Sequence, residues 1–234
     1  MTPYGNLSQV ASNFFEAVFF DMDGLTINSE PQWLAAEIEL TAPYGYQWTT
    51  EDQAFCLGGP LTKVGRYMSD VTGGSKDGET FRKEIIELMV KKVSQNATFM
   101  PGAKDLISNL SLAGIPLALV SASPRVIVNA ALKHFQPTPF QTTISSDEVK
   151  VTKPDPEGYL KAAAILNAEI RNCLILEDSA TGVAAARASG ARVIAVPHLV
   201  KIEPDSQTKV IHSLEDLDVD LLREFYLNWR SATY

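Results

Sequence analysis

Apolar residues gather in short blocks separated by polar stretches. Three compact runs stand out after the first at residues 17–20 (AVFF): 116–120 (PLALV), 173–176 (CLIL) and 192–196 (RVIAV). A weaker run lies at 142–144. Runs this short are ambiguous between strand and helix. The polar, Gly- or Ser-containing stretch that follows residue 20 favours a buried strand ending in a loop, and the other runs share that look. Segments of helical periodicity precede the later runs. Residues 103–112 are amphipathic and stop near Gly114. Residues 124–134 start with Pro124 in the first turn. Asp155 and Pro156 read as an N-cap followed by proline, opening a helix to about Asn167. Residues 180–189 are Ala-rich and halt at Gly190, and 214–226 read as a closing helix. Strands alternating with helices imply crossover units and a parallel sheet covered on both faces.

Residues 30–99 break this rhythm. Helical patterns at 31–40 and 80–95 flank a stretch containing Gly58, Gly59, Gly73, Gly74 and Gly78, with no strand pattern between. The expected architecture is an α/β, Rossmann-like core of residues 1–29 and 100–234, with a helical domain of residues 30–99 inserted after the first strand. Pro101-Gly102 marks the return to the core. Residues before Ala17 read as a short leader.

The chain has 234 residues, 45% hydrophobic and 21% charged, enough apolar material for a real core. Its net charge of −8 argues against a nucleic-acid partner and against an anionic membrane surface. A phosphorylated small molecule stays compatible, because one metal ion and one lysine set the local field. Cys56 and Cys173 are far apart and form no disulfide framework, which fits a reduced, cytoplasmic setting. No signal-peptide pattern and no run of membrane-spanning length is present. The default assembly is a monomer.

In open parallel sheets, ligands bind beyond the carboxyl ends of the strands. Asp21 and Asp23 follow the first run, Ser121, Ala122 and Ser123 the second, and Glu177, Asp178 and Ser179 the third. Lys153 sits in a turn before a helix. Carboxylate oxygens suit a hard octahedral ion such as Mg2+. Lysine, a serine hydroxyl and loop N–H groups suit phosphoryl oxygens. One carboxylate can attack phosphorus while a second serves as acid and base. Each group alone has a bland reading: Asp in turns, Ser121 or Glu177-Asp178 at helix starts, Lys153 as a solvated turn residue.

Taken in order, these segments resemble the four motifs of the haloacid dehalogenase-like phosphatases: Asp21-Met22-Asp23-Gly24-Leu25-Thr26, Ser121, Lys153-Pro154, and Glu177-Asp178 with the helix after it. The resemblance extends over residues 17–197. It includes the helical cap of the subfamily that holds β-phosphoglucomutases and sugar-phosphate phosphatases. Residues 21–33 are most similar to bacterial hexitol-phosphate and 2-deoxyglucose-6-phosphate phosphatases. The resemblance implies a magnesium-dependent phosphatase acting on a small phosphorylated sugar or polyol. Asp21 would be nucleophile and metal ligand. Asp23 would be the acid–base residue, with its carbonyl on the metal. Ser121, Ala122 and Lys153 would bind phosphate, Asp178 would bind Mg2+, and Glu177 would stand behind them. Gly58, Lys63 and Arg66 fall where relatives place a specificity loop. Many relatives carry an acid where this chain has Asn28.

Two rivals share these motifs. Known phosphomutases of the subfamily carry a histidine at the position of Trp33, so Trp33 favours hydrolysis. A non-catalytic phosphometabolite-binding module would be expected to have lost a motif. Dehalogenases and phosphonatases generally lack an acid at Asp23. Trp33 and Trp48 read as packing. Arg125 reads either as a substrate contact or as a helix-start residue. His134, His198 and His212 have no metal-ligand spacing and read as structural or exposed.

Overall fold

A computed structural model describes residues 14–56, 59–197 and 201–231. Within them, six strands form one fully parallel sheet in the order β3-β2-β1-β4-β5-β6. They are β1 (Val18–Phe20), β2 (Leu117–Val120), β3 (Thr142–Ile144), β4 (Leu174–Glu177), β5 (Arg192–Ala195) and β6 (Thr208–Val210). Alternation along β1 explains why every residue of it is apolar: side chains of neighbouring residues point to opposite faces. Val18 and Phe20 join one buried cluster, with Leu117, Leu119 and Leu176. Phe19 joins the other, with Tyr159, Ile175 and Val183. β1 lies between β2 and β4, with Phe20 in register with Leu119 and Leu176. The next residue of each central strand therefore emerges at one edge of the sheet.

The described helices are α1 (Glu30–Thr41), α2 (Thr50–Cys56), α3 (Leu61–Val71), α4 (Gly78–Gln95), α5 (Ala103–Leu112), α6 (Arg125–Leu132), α7 (Glu157–Ile165), α8 (Ala180–Ser189) and α9 (Val219–Ser231). The first four fill the segment in which the sequence carries no strand pattern. Asp77 caps α4, accepting from Thr80 N–H at 2.8 Å. The inserted segment is joined to the core by two adjacent backbone crossings. Ile27 bridges Phe99, Asn28 N–H donates to Thr98 C=O at 2.8 Å, and Met100 N–H to Thr26 C=O at 3.1 Å. α4 also packs on the core, where His134 Nε2 meets Val93 C=O at 2.8 Å.

Several sequence expectations shift. α7 is regular from Glu157, one residue later than expected, and Asp155 Oδ1 still accepts from Glu157 N–H at 2.9 Å, the bond an N-cap side chain makes. The expected closing helix is two pieces: a 3-10 turn at Leu214–Asp216, opened by a capping box at Ser213, and then α9. β6 has no apolar run to reveal it. Its Thr208–Val210 pairs with the buried strand β5 at the sheet edge. Phe14 and Phe15 are not leader but core, Phe15 packing edge-on against Tyr226 and Trp229. His212 is exposed, and Gly58 and His198 lie outside the described residues.

Candidate active site

Asp21 leaves the end of β1, its N–H donating to Leu176 C=O at 3.1 Å. The chain then turns through Gly24, whose φ of +82° suits glycine. A Cβ there would stand 2.2 Å from Asp178 Oδ2. This glycine thus lets the first loop approach the fourth. Thr26 Oγ1 donates to Asp21 C=O and secures the turn. Gly182, in the first turn of α8, has the same function opposite: a Cβ would sit 2.0 Å from the Glu177 carboxylate. Ser179 caps α8 by accepting from Gly182 N–H at 3.0 Å.

Lys153 reaches back from the loop before α7. Its Nζ donates to Asp21 Oδ1, to Glu177 Oε1 at 2.7 Å and to Val120 C=O at 2.9 Å. Glu177 is fully buried and also accepts from Tyr159 OH at 2.5 Å. Burial alone would drive the proton off Lys153. The Asp21 and Glu177 carboxylates overcome that and hold its pKa well above the ordinary value. Burial pushes Asp21 up to about 8, Glu177 and Asp23 adding to the rise while Lys153 opposes it. Asp178 is also raised, by burial first and then by Asp21 and Glu177.

Asp23 is held by four donors. Oδ1 accepts from Ser29 Oγ at 2.6 Å and from Trp33 Nε1 at 3.3 Å. Oδ2 accepts from Ser123 Oγ at 2.8 Å and from Ser121 Oγ at 3.3 Å. Two of these partners come from the loop after β2. The others lie at the start of the inserted helices. By sequence, Ser123 falls at this sheet edge without an assigned role, Trp33 reads as packing and as the position that separates hydrolase from mutase, and Ser29 is not singled out. Their signal is spacing: Ser29 and Trp33 stand four residues apart, on one side of the first turn of α1.

Asp21, Glu177 and Asp178 each offer an oxygen, and these atoms lie within 4.8 Å of one another. Asp178 Oδ1 is buried and has no hydrogen-bond partner among the described residues. A bare carboxylate oxygen in that setting is costly unless a cation takes it. The all-oxygen donor set fits a hard divalent ion.

Asp21, Asp23 and Asp178, with Glu177 buried behind them, line one end of a cavity of about 440 Å³ together with Ala122, Ser123 and Lys153. Its other end lies among the inserted helices, with Glu30, Trp33, Glu37 and Gln53. The structure does not bring Lys63 or Arg66 into that lining. Lys63 is exposed, with Nζ donating to Phe55 C=O at 2.8 Å and lying 3.8 Å above the Phe55 ring, and Arg66 is exposed. Gly59, beside the undescribed Gly58, does line it. Arg125 is committed elsewhere, to Glu148 and to Thr143. Trp48 is buried packing, as expected.

With this geometry in place, comparison with known proteins is direct. Residues 18–196 match the family described as haloacid dehalogenase-like hydrolase. Hexitol phosphatase A of Escherichia coli K12 is 30% identical, over 86% of this chain and 92% of its own length. A bifunctional riboflavin kinase/FMN phosphatase of Arabidopsis thaliana is 30% identical over 92% of this chain. The chain spans 58% of that protein's length, and 18% of another Arabidopsis relative. Among solved structures, β-phosphoglucomutase from Clostridium difficile superposes with a TM-score of 0.78 at 21% identity, covering 93% of this chain and 100% of that one. That likeness shows the fold. The chain belongs to the haloacid dehalogenase-like hydrolases.

Proposed function

We propose that this hydrolase is a magnesium-dependent phosphatase that acts on a small phosphorylated sugar or polyol through a phosphorylated Asp21. The observation that carries the reading is the orphaned Asp178 Oδ1 beside Asp21 and Lys153. It joins an acidic cation site to a phosphate-binding amine at one sheet edge. The hexitol phosphatase relative supports the substrate class.

The chemistry follows from the groups present. An Asp21 oxygen attacks phosphorus and the bond from phosphorus to the ester oxygen breaks. Asp23 gives its proton to the departing alcohol. Water then attacks the aspartyl phosphate, Asp23 takes the water's proton, and phosphate leaves with Asp21 restored. Lys153 Nζ and Ser121 Oγ, with loop N–H groups around Ala122, hold the transferring oxygens. Asp21, Asp178 and the Asp23 carbonyl would hold Mg2+, which supplies neutralisation of phosphoryl charge. Glu177 orients Lys153. On this reading, residues 30–99 form a cap that shields the site from water. Trp33 lies where the mutases carry a histidine, and the lack of that histidine favours transfer to water; the indole instead helps to hold Asp23.

A phosphate-release screen over phosphorylated metabolites tests this. Release should require Mg2+, cease with EDTA, and fall by about a thousandfold or more in Asp21→Asn. Folded wild-type protein that releases phosphate from no member, p-nitrophenyl phosphate included, would favour a binding module instead.

A further inference from the structure

The catalytic end of the cavity accounts for the phosphoryl group but not for what the phosphoryl group is attached to. Glu30, Trp33 and Glu37 are spaced along one face of α1 and line the cavity's other end. Glu37 is 4% exposed, and its Oε2 is buried with no hydrogen-bond partner among the described residues. Trp48 Nε1, beside it, is also without a partner at normal hydrogen-bond distance; its indole N–H leans towards the Glu37 carboxyl closely enough to lower its pKa, but leaves Oε2 without a proper bond. Buried glutamates are rare unless paired, and leaving one unpaired costs folding free energy. Such a group calls for an explanation, and in the wall of a substrate cavity a partner from outside the chain supplies one.

The charge at this end narrows what that something is. Lys153 is the one cation among the described lining residues, and it is committed to Asp21 and Glu177. The nearby inserted cations face away: Lys63 on the Phe55 carbonyl, and Lys92 on Glu39 at 2.8 Å. Among the described lining residues, the inserted end offers carboxyls, the amide of Gln53, the indole of Trp33, the thiol of Cys56 and apolar walls such as Leu61 and Val64, and no cation. Burial raises Glu37 to about 8, with Glu30 adding to the rise, and burial raises Glu30 to about 7. Additional negative charge is therefore disfavoured here.

We infer that Glu37 is a specificity-determining residue that hydrogen-bonds a hydroxyl of an uncharged, polyhydroxylated leaving group, and that this end rejects leaving groups bearing a second anion. The inference rests on the phosphatase reading and goes beyond it by assigning the discrimination to one side chain. A site built to hydrogen-bond a hydroxyl discriminates against esters lacking it, because its own polar group is then left unpaired.

The test compares kcat and KM of the full-length, Mg2+-loaded enzyme for sorbitol 6-phosphate, phosphoglycolate and p-nitrophenyl phosphate. Wild type should prefer sorbitol 6-phosphate to phosphoglycolate by about tenfold or more. In Glu37→Leu, the ratio of kcat/KM for sorbitol 6-phosphate to that for p-nitrophenyl phosphate should fall by about tenfold, mainly through KM. Glu37→Gln, which keeps a hydrogen-bonding group, should restore most of that ratio. Thermal melts check folding, and Glu37→Leu should melt no lower than wild type, since it removes an unpaired buried carboxyl. An unchanged ratio in folded Glu37→Leu overturns the inference, as does an equal loss on both substrates. A wild-type preference for phosphoglycolate overturns its charge component. Wild type that releases phosphate from no ester overturns the phosphatase reading, a separate and recognisable failure.

Discussion

At the residue scale, the site is held together against its own charge. Asp21, Glu177 and Asp178 crowd one sheet edge with a single lysine to balance them, and Asp178 Oδ1 goes unpartnered. Breaking that crowd should therefore help a metal-free protein fold. Asp178→Asn should melt about 2–4 °C higher than wild type in EDTA, the shift that roughly 1 kcal/mol produces at this size. Added Mg2+ should raise the wild type and leave the variant unmoved. Differential scanning fluorimetry reads both, and a variant that melts lower in EDTA would count against a frustrated site. Asp23 poses the opposite problem, an acid fixed by four donors. Trp33→Phe removes one of them, at 3.3 Å. It should lower kcat by about threefold to tenfold with less effect on KM. An effect confined to KM would assign Trp33 to substrate contact instead.

At the element scale, strand ends and helix starts position the chemistry, and this layer was the most legible in sequence. β1, β2 and β4 are short apolar runs that end beside Asp21, Ser121 and Asp178, and the polar stretches after them, with the rule that ligands gather at strand ends, placed these residues together. What periodicity missed has physical reasons. β6 is polar because it lies at the sheet edge. α2 and α3 were hidden by the glycines around them. Glu37 looks like an ordinary solvated position of a helix, and only the packing of α1 against the cavity shows that it is buried. Lys63 and Arg66 were legible as charges, but sequence carries no information on which way they face.

The loop after β3 illustrates an element-level clamp. Glu148 pairs with Arg125 at 2.5 Å and accepts from Ser145 N–H at 2.6 Å, and the Arg125 bond foremost lowers it to about 2 against the desolvation of a partly exposed position. A depressed carboxylate contributes stability above its unfolded pKa, here 4.5, and loses it as pH falls towards 2. Glu148→Gln should cost about 1 kcal/mol at pH 7, a modest figure because the pair is partly solvated. The deficit should shrink below pH 4.5. Urea unfolding at pH 7 and pH 3.5 measures it, and a deficit that grew on acidification would contradict the assignment.

At the scale of the whole molecule, the proposed function has an acidic chain bind an anionic ester by concentrating one lysine and an acidic cluster suited to a cation at a single sheet edge. The inserted helices meet the core through the paired crossings at Ile27 and Phe99, and again where Val93 meets His134. Asp23 bridges Ile27 through the backbone, and its carboxylate bonds to Ser29 and Trp33 at the start of the inserted helices and to Ser121 and Ser123 on the core, so it spans the junction. No described helix is long and apolar enough to cross a membrane. The central claim is that Asp21 becomes covalently phosphorylated. Borohydride trapping during turnover tests it most directly, because it reduces an aspartyl phosphate to homoserine that peptide mass spectrometry can locate. Homoserine is expected at position 21, dependent on Mg2+ and substrate and absent from Asp21→Asn. Phosphate release with no modification at position 21, or with the modification at another carboxylate, would contradict it.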